Sequence, residues 1–174
     1  LGTTIVEQVI AAEKRRPVEY EGHTLIAGPM HNSESMVEEF VRIYEKNRAL
    51  RRIRPMEVWR WLRGIDPRPR RHALPRITLL GQSEELPSFL YEAHMRWVVH
   101  RHGEANDEDA LLRAGAPGAK RAIFLASGGV DSDARTISAL AAFRAINPEA
   151  DAFVEVQQSS HASVAEAVGG PGTF

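Results

Sequence analysis

The chain predicts an α/β fold, a mostly parallel sheet with helices on both faces, and three observations carry that prediction. Residues 122–126 (AIFLA) form an apolar run too short for a helix and flanked by turn signals, the pattern of a strand buried on both faces of a parallel sheet. Gly128 and Gly129 then release the backbone into a helix for which Asp131 or Ser132 is the expected N-cap. Ile137, Leu140, Ala141 and Ile146 mark its apolar face, Arg135 and Arg144 lie elsewhere on it, and Asn147-Pro148 stops it. A further strand at 152–156 completes a βαβ unit, whose right-handed crossover implies neighbouring parallel strands.

At 174 residues the chain is long enough for one well-buried domain. Lys and Arg total 22 against 23 Asp and Glu, a balance that gives no push toward nucleic acid. The absence of cysteine excludes disulfides and thiolate metal sites and fits a reducing compartment. No segment approaches the ~18 to 20 uncharged apolar residues of a membrane helix. The sequence opens on Leu1 with no cleavable signal pattern, so it is expected to be a fragment of a longer protein.

Residues 1–16 place Ile5, Val9 and Ile10 on one side of a helix that ends in Lys14-Arg15-Arg16. Two readings stay open: an amphipathic helix packed on its own domain or a symmetry mate, or the cytoplasmic end of a membrane-spanning helix with its basic cluster inside. After a linker at 17–22, residues 23–27 (HTLIA) are the first strand, followed by a polar loop and a helix carrying Met36, Val37, Phe40, Val41 and Tyr44. A Rossmann fold puts its phosphate loop here, yet the three positions of G-x-G-x-x-G hold Gly28, Met30 and Ser33. The second glycine lets backbone touch a pyrophosphate, and a Met side chain obstructs it, so tightly bound NAD or ATP is not expected. The helix N-terminus still attracts an anion, with His31 and Asn32 beside it as loop and cap residues.

Residues 48–76 read as an insertion with ten arginines, no lysine, and Trp59 and Trp61 between the charges. It is either a solvated crossover whose tryptophans cover a sheet edge or a neighbouring subunit, or a basic and aromatic patch for an anionic lipid or other anionic partner. Residues 76–80 are the second strand, after which Gln82 stands nearest the position where dinucleotide enzymes carry a ribose-binding acid, with Glu84 two residues on. A helix is expected over 86–94 with Pro87 in its first turn, and a third strand over 96–100. Gly103-Glu104 follows in a loop at a strand's carboxyl end, where open α/β sheets bind ligands; Ser127 holds the corresponding place after 122–126. Asn106 is expected to cap a helix whose first turn holds Asp107, Glu108 and Asp109, acids placed for the helix dipole rather than for a metal, and Gly115 ends it. A final helix follows 157, and a sixth strand is expected near the end.

In order, HTLIAG, RITLLGQSE, VVHRHGEANDEDALLRAGAPGAKRAIFLA, the DSDARTISALAAFRAINP helix and the FVEV strand resemble the RCK domain (regulator of potassium conductance, also called TrkA-N). This is the Rossmann-like cytosolic ligand-sensing module of potassium channels and of Trk and Kef transport systems. The resemblance covers about residues 23–170, interrupted by the arginine-rich insertion. It implies a linker over 1–22 leading from a pore helix and an RCK N-terminal domain over 23–174. It further implies homo-oligomers, dimers or gating rings, at the cytoplasmic face of the membrane, coupling a small ligand or ion to a transmembrane pore domain, without catalytic residues and without nucleic acid. The ligand-binding positions it implies are Gly28, His31, Asn32, Gln82, Glu104 and Ser127. Calcium-gated members use acids near the Gly-Asp motif and at the end of strand five, matched here by Glu104 and Glu155, with Gln157 replacing a further carboxylate; that set would hold Ca2+ weakly. Two other functions compete. A dinucleotide-dependent oxidoreductase or nucleotide-binding enzyme shares the fold, but no catalytic His, Lys or Tyr arrangement is apparent. A soluble TrkA-like subunit of a potassium uptake system fits less well with the linker over 1–16.

Overall fold

The computed structural model describes residues 16–50, 62–64, 76–95, 97–170 and 173, with the side chains at 30–32 and 44–50 outside that description. All but the last residue of the helix read over 1–16, Trp59 and Trp61 of the insertion, and the side chains of His31 and Asn32 therefore lie outside the described residues.

Five strands form one sheet: β1 (His23–Ala27), β2 (Ile77–Gly81), β3 (Val98–His102), β4 (Ala119–Phe124) and β5 (Asp151–Val154). Their order is β3-β2-β1-β4-β5, and all four pairings are parallel. This is a Rossmann-like α/β sheet. β1 and β2 are buried along their whole length because both faces are covered. On one face α1 (Met30–Leu50) lays Val37 and Val41 against Ile26, Ile77 and Leu79. On the other, α2 (Glu108–Arg113), α3 (Ser132–Ile146) and α4 (Ala162–Gly169) close over Leu25, Leu80 and Phe124. Phe124 and Phe143 meet edge to face with centroids 5.7 Å apart, a geometry worth about 0.5–1.5 kcal/mol beyond the area both rings bury.

Several elements depart from the sequence reading. α1 runs to Leu50, past the expected start of the insertion at 48. The helix expected over 86–94 is two 3-10 turns, Ser88–Tyr91 and Ala93–Met95, separated by extended Glu92. A continuous α-helix would put positions six apart on different sides, whereas the broken path buries both Phe89 and Met95. Asp107, not Asn106, caps α2, its carboxylate accepting from the Asp109 amide. Asp131 holds the N-cap position of α3 without a side-chain cap bond, and Ser132 Oγ instead accepts from the Gly128 amide. The buried face of α3 is Thr136, Ala139, Leu140 and Phe143, leaving Ala141 exposed. No sixth strand forms among the described residues; Thr173 offers its carbonyl to the Val154 amide at the edge of β5.

A strap over residues 16–22 crosses the opposite, N-terminal edge of the sheet. The Val18 amide donates to Arg113 O at the end of α2, the Gly22 amide to Gly118 O, and Arg101 Nε to Arg16 O. Val18 is buried, and the Arg76 guanidinium lies 4.5 Å above the Tyr20 ring. The seat is cut to a glycine backbone: a Cβ at Gly118 would fall 2.2 Å from Tyr20 O. Asn147 fixes that turn from above, its amide donating to Ala116 O and Ala119 O. Just after the strap, buried His23 sets Nδ1 3.1 Å from Tyr20 O, and burial holds its ring below its ordinary value.

Asp133, in the first turn of α3, is 3% exposed and holds the segment between β5 and α4. Its carboxylate accepts from the Gln157 and Gln158 amides at 2.8 and 3.0 Å and lies 2.8 Å from His161 Nδ1. The Gln157 amide and the His161 ring, with Gln158 adding to them, hold its carboxyl below its ordinary value of 3.8.

Two predictions follow from these contacts. Gly118→Ala should cost about 1–3 kcal/mol, read as an earlier urea midpoint, because the clash is with backbone. Asp133→Asn should lower the thermal midpoint at pH 7. A carboxyl depressed in the fold contributes stability that is present above its unfolded value and lost as pH falls through the folded one, so the gap between wild type and variant should close below pH 3.8. A gap independent of pH would remove the carboxylate from this role.

Candidate functional site

The chain leaves β1 toward β2 on one side and reaches β4 on the other, so the carboxyl ends of β1 and β4 form the switch point of the sheet. Loops there diverge and leave a crevice. In this protein it is a cavity of about 630 Å³, walled by the exits of β1 to β4 and the first turns of α3.

Two glycines shape it. Gly28 has φ 142° and gives its amide to Leu80 O, and a Cβ there would sit 2.8 Å from Leu125 O. Gly103, at φ 154°, gives its amide to Gly81 O, and a Cβ would sit 2.5 Å from Ala110 Cβ. Gly28 is required by the close approach of the β4 exit and Gly103 by that of α2, and both amides are taken up by the protein.

Four of the expected ligand positions, Gly28, Gln82, Glu104 and Ser127, line this one cavity. Gln82 Nε2 reaches Glu104 Oε1 at 3.3 Å, tying the end of β2 to the end of β3. The three expected metal positions do not come together there. Glu104 lines the cavity, while Glu155 and Gln157 are not among its walls. Glu155 Oε2 accepts from the Ala126 amide at 2.9 Å, which continues β4 beyond its last ladder bond, and the Gln157 amide is held by Asp133. Among the described residues no group of three or more His, Cys, Asp or Glu side chains is placed to hold a metal ion.

Sequence reasoning missed Arg135 and Thr136, which contribute the α3 wall. Thr136 is buried and returns its hydroxyl proton to Ser132 O at 2.8 Å; Arg135 is exposed to the cavity mouth. Their only sequence signal is position, four and five residues beyond the turn that follows β4. The cavity thus offers a carboxylate at one end, a guanidinium at the other, and apolar walls from Leu80, Phe124 and Leu125 between them, a chemistry suited to a small organic ligand with hydroxyl and anionic groups.

No helix among the described residues is long and apolar enough to cross a membrane. No family model matches the chain, and no curated protein does. Solved structures do. The GsuK RCK domain superposes with TM-score 0.58 at 14% identity, over 89% of this chain and 26% of that one. GsuK structures bound to NAD and to ADP each give 0.56, over 88% of this chain, at 14% and 12% identity and covering 21% and 31% of those chains. The TrkA-N domain of the inner membrane protein ybaL from Escherichia coli gives 0.50 at 16% identity, over 88% of this chain and 87% of that one. The chain therefore spans between a fifth and a third of the GsuK chains it matches, and nearly all of the isolated TrkA-N domain. At these identities the likeness is one of architecture, and with the parallel sheet and its switch-point cavity it assigns this chain the RCK/TrkA-N fold.

Proposed function

We propose that this chain is a ligand-sensing regulatory domain of a potassium channel or related cation-transport protein, and that its ligand is a nucleotide held in the switch-point cavity. In this reading the domain works at the cytoplasmic face of the membrane, as a dimer or ring attached to a pore domain. The ligand opens or closes the pore only by the margin with which it prefers one ring geometry over the other. No residue of the cavity is assigned a catalytic role.

The carrying observation is the Gln82–Glu104 pair at 3.3 Å. Rossmann nucleotide sites place a carboxylate at the end of the second strand to accept the ribose hydroxyls. Here the second strand supplies Gln82, and the neighbouring third strand supplies the carboxylate. Gln82 engages Oε1 and steadies Glu104, leaving Oε2 as an acceptor for a diol. The cavity volume of about 630 Å³ lies within the range of small-molecule sites. Replacement of the second fingerprint glycine by Met30 weighs against a pyrophosphate seated on α1, but it does not touch the ribose or the base. GsuK, whose RCK domain shares the fold, has been solved with NAD and with ADP, which supports the ligand class.

Calcium is the second reading, resting on Glu104 alone in the cavity. A calcium ion takes about six to eight oxygens, and Glu155 is engaged with the Ala126 amide.

Thermal unfolding of the chain with ADP, NAD and Ca2+ in separate arms tests both. A nucleotide at a hundredfold its Kd should add about 2.7 kcal/mol to the native state, read as a raised midpoint. Glu104→Gln, a change in an exposed loop, should weaken that ligand by about tenfold or more, the worth of a charge-assisted hydrogen bond. A midpoint raised by Ca2+ and by neither nucleotide would overturn the nucleotide reading; no shift in any arm would overturn both.

A further inference from the structure

We infer that Arg135 is the anion-recognition residue of this cavity and that it fixes the phosphate of the bound nucleotide, an inference that rests on the nucleotide reading above and adds to it the place and chemistry of the phosphate contact. Four observations converge on it.

First, Arg135 lines the cavity yet has no acceptor among the described residues. Three other arginines near the sheet are engaged. Arg144 donates to Pro148 O, Ala150 O and Gly169 O, Arg101 to Arg16 O and His100 O, and Arg121 lies 3.8 Å from Asp151.

Second, no acid pairs with it among the described residues. Asp131, four residues earlier on the same helix side, forms no ion pair with it among the described residues, and Asp133 turns its carboxylate to Gln157, Gln158 and His161.

Third, a cation in the first turn of a helix opposes the helix dipole. Arg135 is the fourth residue of α3, so its charge is unfavourably placed in the dipole of that helix. A bound anion reverses that sign, because guanidinium and helix amides then act on it together.

Fourth, the placement suits a nucleotide. Glu104 follows β3 and Arg135 lies on the helix after β4, and in the order β3-β2-β1-β4 the two strands are three spacings apart, roughly 14 Å between strand axes. Both side chains line the cavity, and no ion pair joins them among the described residues. They can be bridged by a molecule with a diol at one end and a phosphate at the other. The phosphate is thereby moved off the α1 loop, where Met30 replaces the fingerprint glycine, and onto the loop and helix that follow β4.

The test is titration of the 174-residue chain with ADP and with adenosine, for wild type, Arg135→Gln and Arg135→Lys, at low and at raised salt. Wild type should bind ADP at least about tenfold more tightly than adenosine, and the preference should shrink with salt. Arg135→Gln should bring ADP down to the adenosine level while adenosine itself is unchanged, and Arg135→Lys should keep part of the preference. Arg135 is exposed, so an unaltered thermal midpoint in the variants separates this result from misfolding. If Arg135→Gln keeps the ADP preference, or wild type binds adenosine as tightly as ADP, the assignment of Arg135 falls while the nucleotide reading stands. If neither compound binds, the nucleotide reading falls and Arg135 with it.

Discussion

The contact on which the rest of the structure depends is the approach of the β1 exit to the β4 exit. β1 pairs β2 through residues 24–27 and β4 through residues 23–27, both parallel. A strand with parallel neighbours on both sides must send its successor one way and receive its later partner from the other. Leu125 N donates to Ala27 O at 2.8 Å, continuing the β4 ladder past its last strand residue, and Gly28 N turns the other way to Leu80 O. With backbones that close, only glycine fits at 28. The cavity is the space left above this crossing, and Glu104 and Arg135 are the side chains the flanking loops send to its ends.

The central β-α-β logic was legible in the sequence because it depends on short-range signals. Apolar runs bounded by Gly, Pro and Asn located all five strands, Asn147-Pro148 located the end of α3, and Gly115 the end of α2. Strand limits were less legible: β3, β4 and β5 are displaced by one to three residues from 96–100, 122–126 and 152–156 because their limits depend on which backbone groups find ladder partners, as at Glu155, whose amide pairs with Phe124 O. The 3-10 turns at 88–95 were illegible for a related reason. Phe89 and Met95 both have to reach the core across a short connection, and that demand comes from the sheet, not from the local sequence.

Among the polar residues, what the sequence could not separate was structural use from ligand use. Glu155 stands at a strand end, as a ligand residue would, but its carboxylate completes the hydrogen bonding of the β4 exit at Ala126. Asp133 reads as an ordinary first-turn acid, yet it binds two amides and an imidazole some two dozen residues downstream. Buried acceptors and donors are rarely left unmade in a fold, so each such pairing removes a candidate from the list of ligand contacts. Glu104 and Arg135 remain because Glu104 is bound only by an exposed amide and Arg135 by no described residue. Neither distinction can be drawn without the partner twenty or more residues away.

The strap and the cavity lie at opposite edges of the sheet and share one short helix. At its start, α2 packs Ala110 so tightly beneath Gly103 that no Cβ fits there, and Asp107 N donates to Glu104 O. At its end, Arg113 O receives the Val18 amide, and the turn that follows presents Gly115 and Gly118 to the strap backbone. A helix of six residues is about 9 Å long. In the proposed reading, a displacement of the 103–106 loop on binding would be passed through this helix to the carbonyl that seats Val18. In the proposed reading this gives the ligand a handle on the chain segment leading toward residues 1–15. The coupling free energy is set by how differently the ligand binds the two positions of that loop, not by how tightly it binds either.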